Sequence, residues 1–219
     1  CQGLRDPRRP LRGKKRGSSR RWLAEHQRDP CVNAARERGY RSRAAFKLLE
    51  IQDRDRLLRP GMTIVDLGAA PGGWSQVAAE LAGPGGRVVA TDILEMQPIS
   101  GVEFVQGDFT ADETETALRD MLGPERRADL VISDMAPNLS GIRATDEARS
   151  ALLAELAADT AAKLLAPGGS YLCKVFHGGD TERLIKDLRR GYRKVVTRKP
   201  DASRARSSEF YVLAQGFGL

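Results

Sequence analysis

Histidine and cysteine are scarce in this chain. Two histidines, His26 and His177, and three cysteines, Cys1, Cys31 and Cys173, are spread over 219 residues. None stands at the spacing of a metal-ligand set, so no metal is expected, and an odd number of cysteines argues against a disulfide framework. The histidines, without partners at ligand spacing, read as surface or hydrogen-bonded side chains rather than ligands or bases. Aromatics make up only 5% of the sequence. If the partner is a nucleic acid, base stacking is then secondary to phosphate and shape recognition. No run of about 20 apolar residues exists for a membrane helix, and no signal-peptide core follows the basic start. A reducing cytoplasm is the expected compartment.

Positive charge is plentiful. Lys and Arg number 36 against 29 Asp and Glu, for a net charge of +7, and the isoelectric point is near 9.6. A polyanionic partner follows. Residues 1–21 carry nine Lys/Arg against the single acid Asp6, which reads as a basic, flexible arm able to bind phosphates. Residues 183–206 carry ten more against Asp187 and Asp201, and this run is expected to contact an RNA backbone. The remainder, 22–219, is read as one folded domain, with nothing that demands more than a monomer.

From residue 62 onward, short β-rich runs alternate with helical patterns. "MTIVDL" (62–67), "RVVATD" (87–92), "VEFVQGD" (102–108) and "ADLVISD" (128–134) read as strands. Helices are expected at 74–82, near 112–122, over 146–165 and near 180–190, with "APGG" (166–169) terminating the third. The strand around Lys174, then "KVVTRK" (194–199) and "EFYVLAQG" (209–216), complete a mostly parallel α/β sheet with helices on both faces. Upstream, "SRAAFKLLEIQ" (42–52) predicts a helix with Ser42 as N-cap. Its Ala45, Leu48 and Leu49 share a face that leaves Lys47 outside it.

After the first strand comes "DLGAAPGGWSQ" (66–76), a turn whose glycines Gly68, Gly72 and Gly73 let the backbone approach a ligand. Asp92 closes the second strand about 20 residues later, where an acid can hold ribose hydroxyls. The spacing G-x-x-x-G-G with Pro71 inside is not the dinucleotide G-x-G-x-x-G, and the Gly-Lys-Ser/Thr of a P-loop is missing. An adenosine cofactor without a pyrophosphate fits better. S-adenosylmethionine is the candidate, with Asp108 at the next strand end beside it.

Two further strands end in charge, Asp134 in "ISDMAPN" and Lys174 in "GGSYLCKVFHG". A lysine inside an apolar strand is costly to desolvate unless its pKa falls or it snorkels to water. Methylating an alcohol needs a base, because the hydroxyl pKa lies far above 7. A lysine serves as that base only when neutral.

"RSRAAFKL", "VDLGAAPGGWSQ", "SDMAPNLSG", "GGSYLCKVF" and "RKPDASRARSSEFYVLAQGF" together resemble the FtsJ/RrmJ ribose 2′-O-methyltransferases, in order from about residue 14 to 217. The resemblance implies a Rossmann-like class I methyltransferase fold, seven-stranded and mostly parallel with the last strand antiparallel. It also implies a Lys-Asp-Lys-Glu catalytic set, falling on Lys47, Asp134, Lys174 and Glu209. The implied cofactor contacts are Gly72, Trp74, Asp92, Asp108 and Asp134, although a tryptophan is more often a packing residue. The implied substrate is a uridine in the A-loop of 23S ribosomal RNA, presented in the large ribosomal subunit. In this arrangement Lys47 keeps Lys174 neutral by repulsion, while Asp134 and Glu209 orient amines and ribose. Cys173 and His177 flank Lys174 where members of the family vary, and the arm at 1–13 is longer than usual.

Competing readings are a base-nitrogen methyltransferase, a 2′-O-methyltransferase of transfer RNA, a catalytically silent RNA-binding assembly factor and, most remotely, a dehydrogenase. The first would place an Asp/Asn-Pro-Pro-aromatic turn where this chain has "DMAPN". An assembly factor has no need of all four catalytic residues.

Overall fold

The structure is a computed structural model that describes residues 29–124, 127–137, 140, 142–203 and 207–219. The basic arm at 1–21 lies outside the described residues, as do Arg204 and Arg206 of the second basic run.

Seven strands form one sheet: β1 (Thr63–Leu67), β2 (Arg87–Asp92), β3 (Val102–Gln106), β4 (Ala128–Ser133), β5 (Leu165–Phe176), β6 (Tyr192–Arg198) and β7 (Glu209–Phe217). Their order is β3-β2-β1-β4-β5-β7-β6. Every pairing is parallel except those of β7, which runs antiparallel between β5 and β6. This is the sheet that the strand–helix alternation and the family resemblance predict. The order reverses between β1 and β4, and ligands of open α/β sheets bind beyond the carboxyl ends of the strands at such a point.

Alternate strand residues enter two cores. Val65, Leu67, Val131, Tyr171, Val175 and Val212 face helices α4 (Asp112–Leu122), α5 (Arg143–Leu164) and α6 (Gly179–Gly191). Ile64, Leu130, Ile132, Leu172, Tyr211 and Leu213 face α2 (Ala44–Asp55) and α3 (Gly73–Ala82). With both faces covered, the strands read as near-continuous apolar runs. Each buried Leu or Ile contributes roughly 1.5–3 kcal/mol relative to exposure.

Four local features differ from what the sequence led one to expect. Helix α1 (Pro30–Glu37) was not foreseen, although Asp29 caps it by accepting from the Cys31 N–H at 3.0 Å and proline occupies its first position, the arrangement favoured at helix starts. Helix α2 begins at Ala44, and Ser42 does not cap it; Arg43 stands at the cap in a helical conformation. Lys47 belongs to the buried face of α2 with Ala45, Leu48 and Ile51, whereas Leu49 is half-buried. Lys47 faces Glu209 and Tyr211 of β7, while the β6–β7 connection reaches α2 at Glu50, which accepts from the Asp201 and Ala202 N–H groups at 2.6 and 2.9 Å. Helix α5 stops before "APGG" as predicted, but those residues already belong to β5, which meets β4 through a register shift.

Candidate active site

At the carboxyl end of β1, Gly68 and Gly72 adopt positive φ of 74° and 107°. A Cβ at Gly68 would overlap the Met135 side chain, and one at Gly72 would come within 2.4 Å of Ile99. These two positions therefore require glycine on conformational and steric grounds. The Asp92 carboxylate accepts from the Ala70 N–H at 2.9 Å and the Leu94 N–H at 2.8 Å, which ties the loop to the end of β2. About half of its four lone-pair sites stay available. The Gly107 N–H donates to the Asp92 carbonyl, which sets Asp108 next to it; Asp108 in turn accepts from the Thr110 N–H and hydroxyl at 2.9 and 2.7 Å. The Trp74 indole is buried, donates to the Ala44 carbonyl at 2.8 Å and lies 5.6 Å from the Tyr211 ring. Its side chain is a packing group; what it can offer a ligand is the backbone N–H in the first turn of α3.

The other predicted residues assemble at the ends of β4, β5 and β7. The Lys174 amine donates to the Asp134 carbonyl at 2.6 Å and lies 3.3 Å from Asp134 Oδ1. Lys47 Nζ is 2.5 Å from Glu209 Oε1, with both residues buried. Tyr211 donates to Asp134 Oδ1 at 2.7 Å, and its ring lies 5.9 Å from Lys47 Nζ. All four of Lys47, Asp134, Lys174 and Glu209 are thus gathered, as two Lys–carboxylate pairs. Each amine has a carboxylate of its own. Burial tends to raise the Glu209 carboxyl, yet Lys47 and then Lys174 outweigh it and hold it below the ordinary range. Burial, then the charges of Asp134 and Glu209, push the Tyr211 hydroxyl well above its ordinary value, so it stays a donor.

The sequence pattern of the FtsJ-like methyltransferases matches residues 40–217. The chain belongs to the FtsJ-like methyltransferase family. Among its relatives, the ribosomal RNA large subunit methyltransferase E of Alkalilimnicola ehrlichii is 60% identical over 208 residues, covering 95% of this chain and 99% of its own. The protein of the same name from Marinobacter nauticus is 58% identical over 200 residues, covering 91% and 96%. A solved structure from Plasmodium falciparum, bearing the name ribosomal RNA methyltransferase, superposes with a TM-score of 0.73 at 28% identity, over 81% of this chain and 98% of that one.

Two groups of this FtsJ-like methyltransferase escaped the sequence reading. Tyr211 was legible in principle, being two residues from Glu209 on one strand and hence on the same face. Arg41 was not. Its guanidinium donates to the carbonyls of Pro71 at 3.3 Å, Gln97 at 2.6 Å and Pro98 at 2.7 Å. Its own N–H donates to Gln76 Oε1 at 2.8 Å. It thereby fastens the glycine loop after β1 to the segment after β2, a role that only the folded backbone defines. The structure also reassigns part of the second basic run. Arg198 forms a bidentate pair with Asp55 at 2.7 and 2.6 Å, and Lys199 donates to the carbonyls of Ser207 and Glu209. Both hold the β6–β7 connection to the body of the protein and are not free for phosphates.

Proposed function

We propose that this protein transfers a methyl group from S-adenosylmethionine to a ribose 2′-hydroxyl of RNA, specifically a uridine in the A-loop of 23S ribosomal RNA in the large ribosomal subunit. The observation that carries this reading is a pair of Lys–carboxylate contacts, the part-buried Lys174–Asp134 and the buried Lys47–Glu209, beside a glycine-rich turn that ends against Asp92. A base nitrogen has a lone pair of its own, whereas a hydroxyl acceptor needs a group to remove its proton. The names of the curated relatives support the ribosomal substrate.

The residues near Asp92 fit an adenosine cofactor. Asp92 keeps acceptor capacity for ribose hydroxyls, and the adjoining Ile93 and Leu94 are 67% and 62% exposed, apolar side chains for an adenine to cover. Bound S-adenosylmethionine supplies an electrophilic methyl on a sulfonium. Lys174 is the group placed to accept the 2′-hydroxyl proton at Nζ as the oxygen attacks, which requires the amine to have given up a proton first. Asp134 fixes that amine through its carbonyl and Oδ1, and Tyr211 in turn fixes the carboxylate. Lys47 holds Glu209, which orients the ribose. The basic arm and the uncommitted cations of 183–203 bind phosphates, each contact adding roughly 0.7–0.9 to the salt slope of log affinity.

Mapping 2′-O-methyls in ribosomal and transfer RNA from a strain lacking the protein tests the proposal. One methyl missing from an A-loop uridine is the expected result; a loss confined to transfer RNA overturns the substrate, and a lost base methyl overturns the acceptor.

A further inference from the structure

Beyond Lys174, β5 ends at Phe176, and the next residue continues the ladder: the His177 N–H donates to the Ser208 carbonyl at 3.2 Å. His177 is therefore opposite Ser208 and diagonal to Phe210 on one face of the β5–β7 pair. Its ring stacks on that of Phe210, with centroids 4.4 Å apart and planes inclined by 29°. Phe210 is buried at 7% exposure, whereas His177 is exposed. An exposed ring laid over a buried one presents its outer face to the surroundings. Those surroundings are an open cavity of about 830 Å³ lined by His177, Thr181, Ile185, Arg198, Lys199 and Phe210 among others.

The groups around this cavity disfavour a phosphate. Arg198 is committed to Asp55 and Lys199 to two carbonyls, while the Thr181 hydroxyl donates to the Phe176 carbonyl at 2.7 Å. Glu182 adds an acid to the rim. What the cavity offers is a flat aromatic surface, in a chain where such surfaces are few. His177 is three residues past Lys174, about 10 Å along the strand and on the opposite face of the sheet, so an RNA strand that crosses the end of β5 from the lysine brings a flanking nucleotide to it. We propose that the His177–Phe210 pair is a stacking platform for an unpaired RNA base flanking the methylated nucleotide. This rests on the RNA reading given above and adds a second recognition element to it. Stacking on aromatic side chains is a common way of holding splayed bases.

The test uses the full-length protein and large ribosomal subunits from a strain lacking it. His177→Ala raises the KM for the subunits at least about fivefold, the low end of what one stacked base contributes, and His177→Phe restores most of the loss. The dissociation constant for S-adenosylmethionine and the melting temperature stay at wild-type values, and the salt slope of RNA affinity does not change. An unchanged KM, or a His177→Phe variant no better than His177→Ala, overturns the platform. So does a lower melting temperature that accounts for the loss, which marks a packing role only. A salt slope reduced by roughly 0.7–0.9 overturns it in favour of a phosphate contact. If the wild-type protein leaves the subunits unmethylated, the functional reading fails, and direct RNA affinity of wild type against His177→Ala still decides the platform.

Discussion

Around β1 and β2 the carboxyl rim of the sheet is made of backbone: glycines at positive φ, N–H groups bound by Asp92, and carbonyls gathered by Arg41. Around β4, β5 and β7 the same rim is made of charged side chains in pairs, one buried and one part-buried. The first construction suits a ligand that must be approached closely and held by many small contacts. The second suits a proton transfer, where a few groups must be placed to within a fraction of an ångström in a low-dielectric setting. The backbone contacts come from two short segments, 68–72 and 92–98, whereas the paired side chains come from positions 47, 134, 174 and 209, spread over most of the chain.

The comparison breaks most visibly at Lys174. Lys174→Ala lowers the single-turnover rate by about 10²–10⁴, while calorimetry gives an unchanged affinity for S-adenosylmethionine. Lys174→Arg is nearly as damaging, because a guanidinium keeps its protons. Near-normal turnover of the arginine variant would show that the residue supplies charge or orientation instead.

Asp66 joins the two halves. It is 1% exposed and accepts from the Ser75 hydroxyl at 2.6 Å. Burial, opposed by that hydrogen bond and reinforced by the charges of Asp134 and Asp92, pushes its carboxyl from 3.8 to about 7. The folded state therefore holds a proton that the unfolded chain releases. The destabilisation is absent below about pH 4, grows as pH rises toward about 7, and amounts to roughly 4 kcal/mol above that. Asp66→Asn should then be more stable than wild type at pH 8 and no more stable at pH 4, as read by denaturant unfolding at the two pH values. A pH-independent difference would show that this carboxyl does not titrate as described.

On the cofactor side the effects are smaller. Asp92→Ala weakens S-adenosylmethionine binding tenfold or more, about 1.4 kcal/mol, with little change in RNA affinity. Arg41→Ala, which removes hydrogen bonds worth about 1 kcal/mol net, weakens cofactor binding about fivefold without touching any residue of the paired set. If Arg41→Ala instead lowers the rate at saturating cofactor, the two halves are mechanically coupled rather than independent.

The glycine turn, Asp92, Asp108, the strand order of hydrophobic runs and the termination of α5 are all legible in the amino-acid sequence. Each depends on a local rule: positive φ, a helix-breaking Pro-Gly-Gly, or a short apolar run bounded by turn residues. Lys47 is also identifiable by its motif, but its burial is not legible, since the groups that face it, Glu209 and Tyr211, stand on the last strand of the chain. The same holds for Arg198 and Lys199, which look like solvated charges in sequence but are bound to Asp55 and to carbonyls in the fold. A charge run records only how many cations are present. Which of them are spent on the protein's own backbone, which amine faces which carboxylate, and that His177 lies flat on Phe210, are decided by strand pairing, because β7 inserts antiparallel between β5 and β6 and brings the last stretch of chain against the strand that carries Lys174.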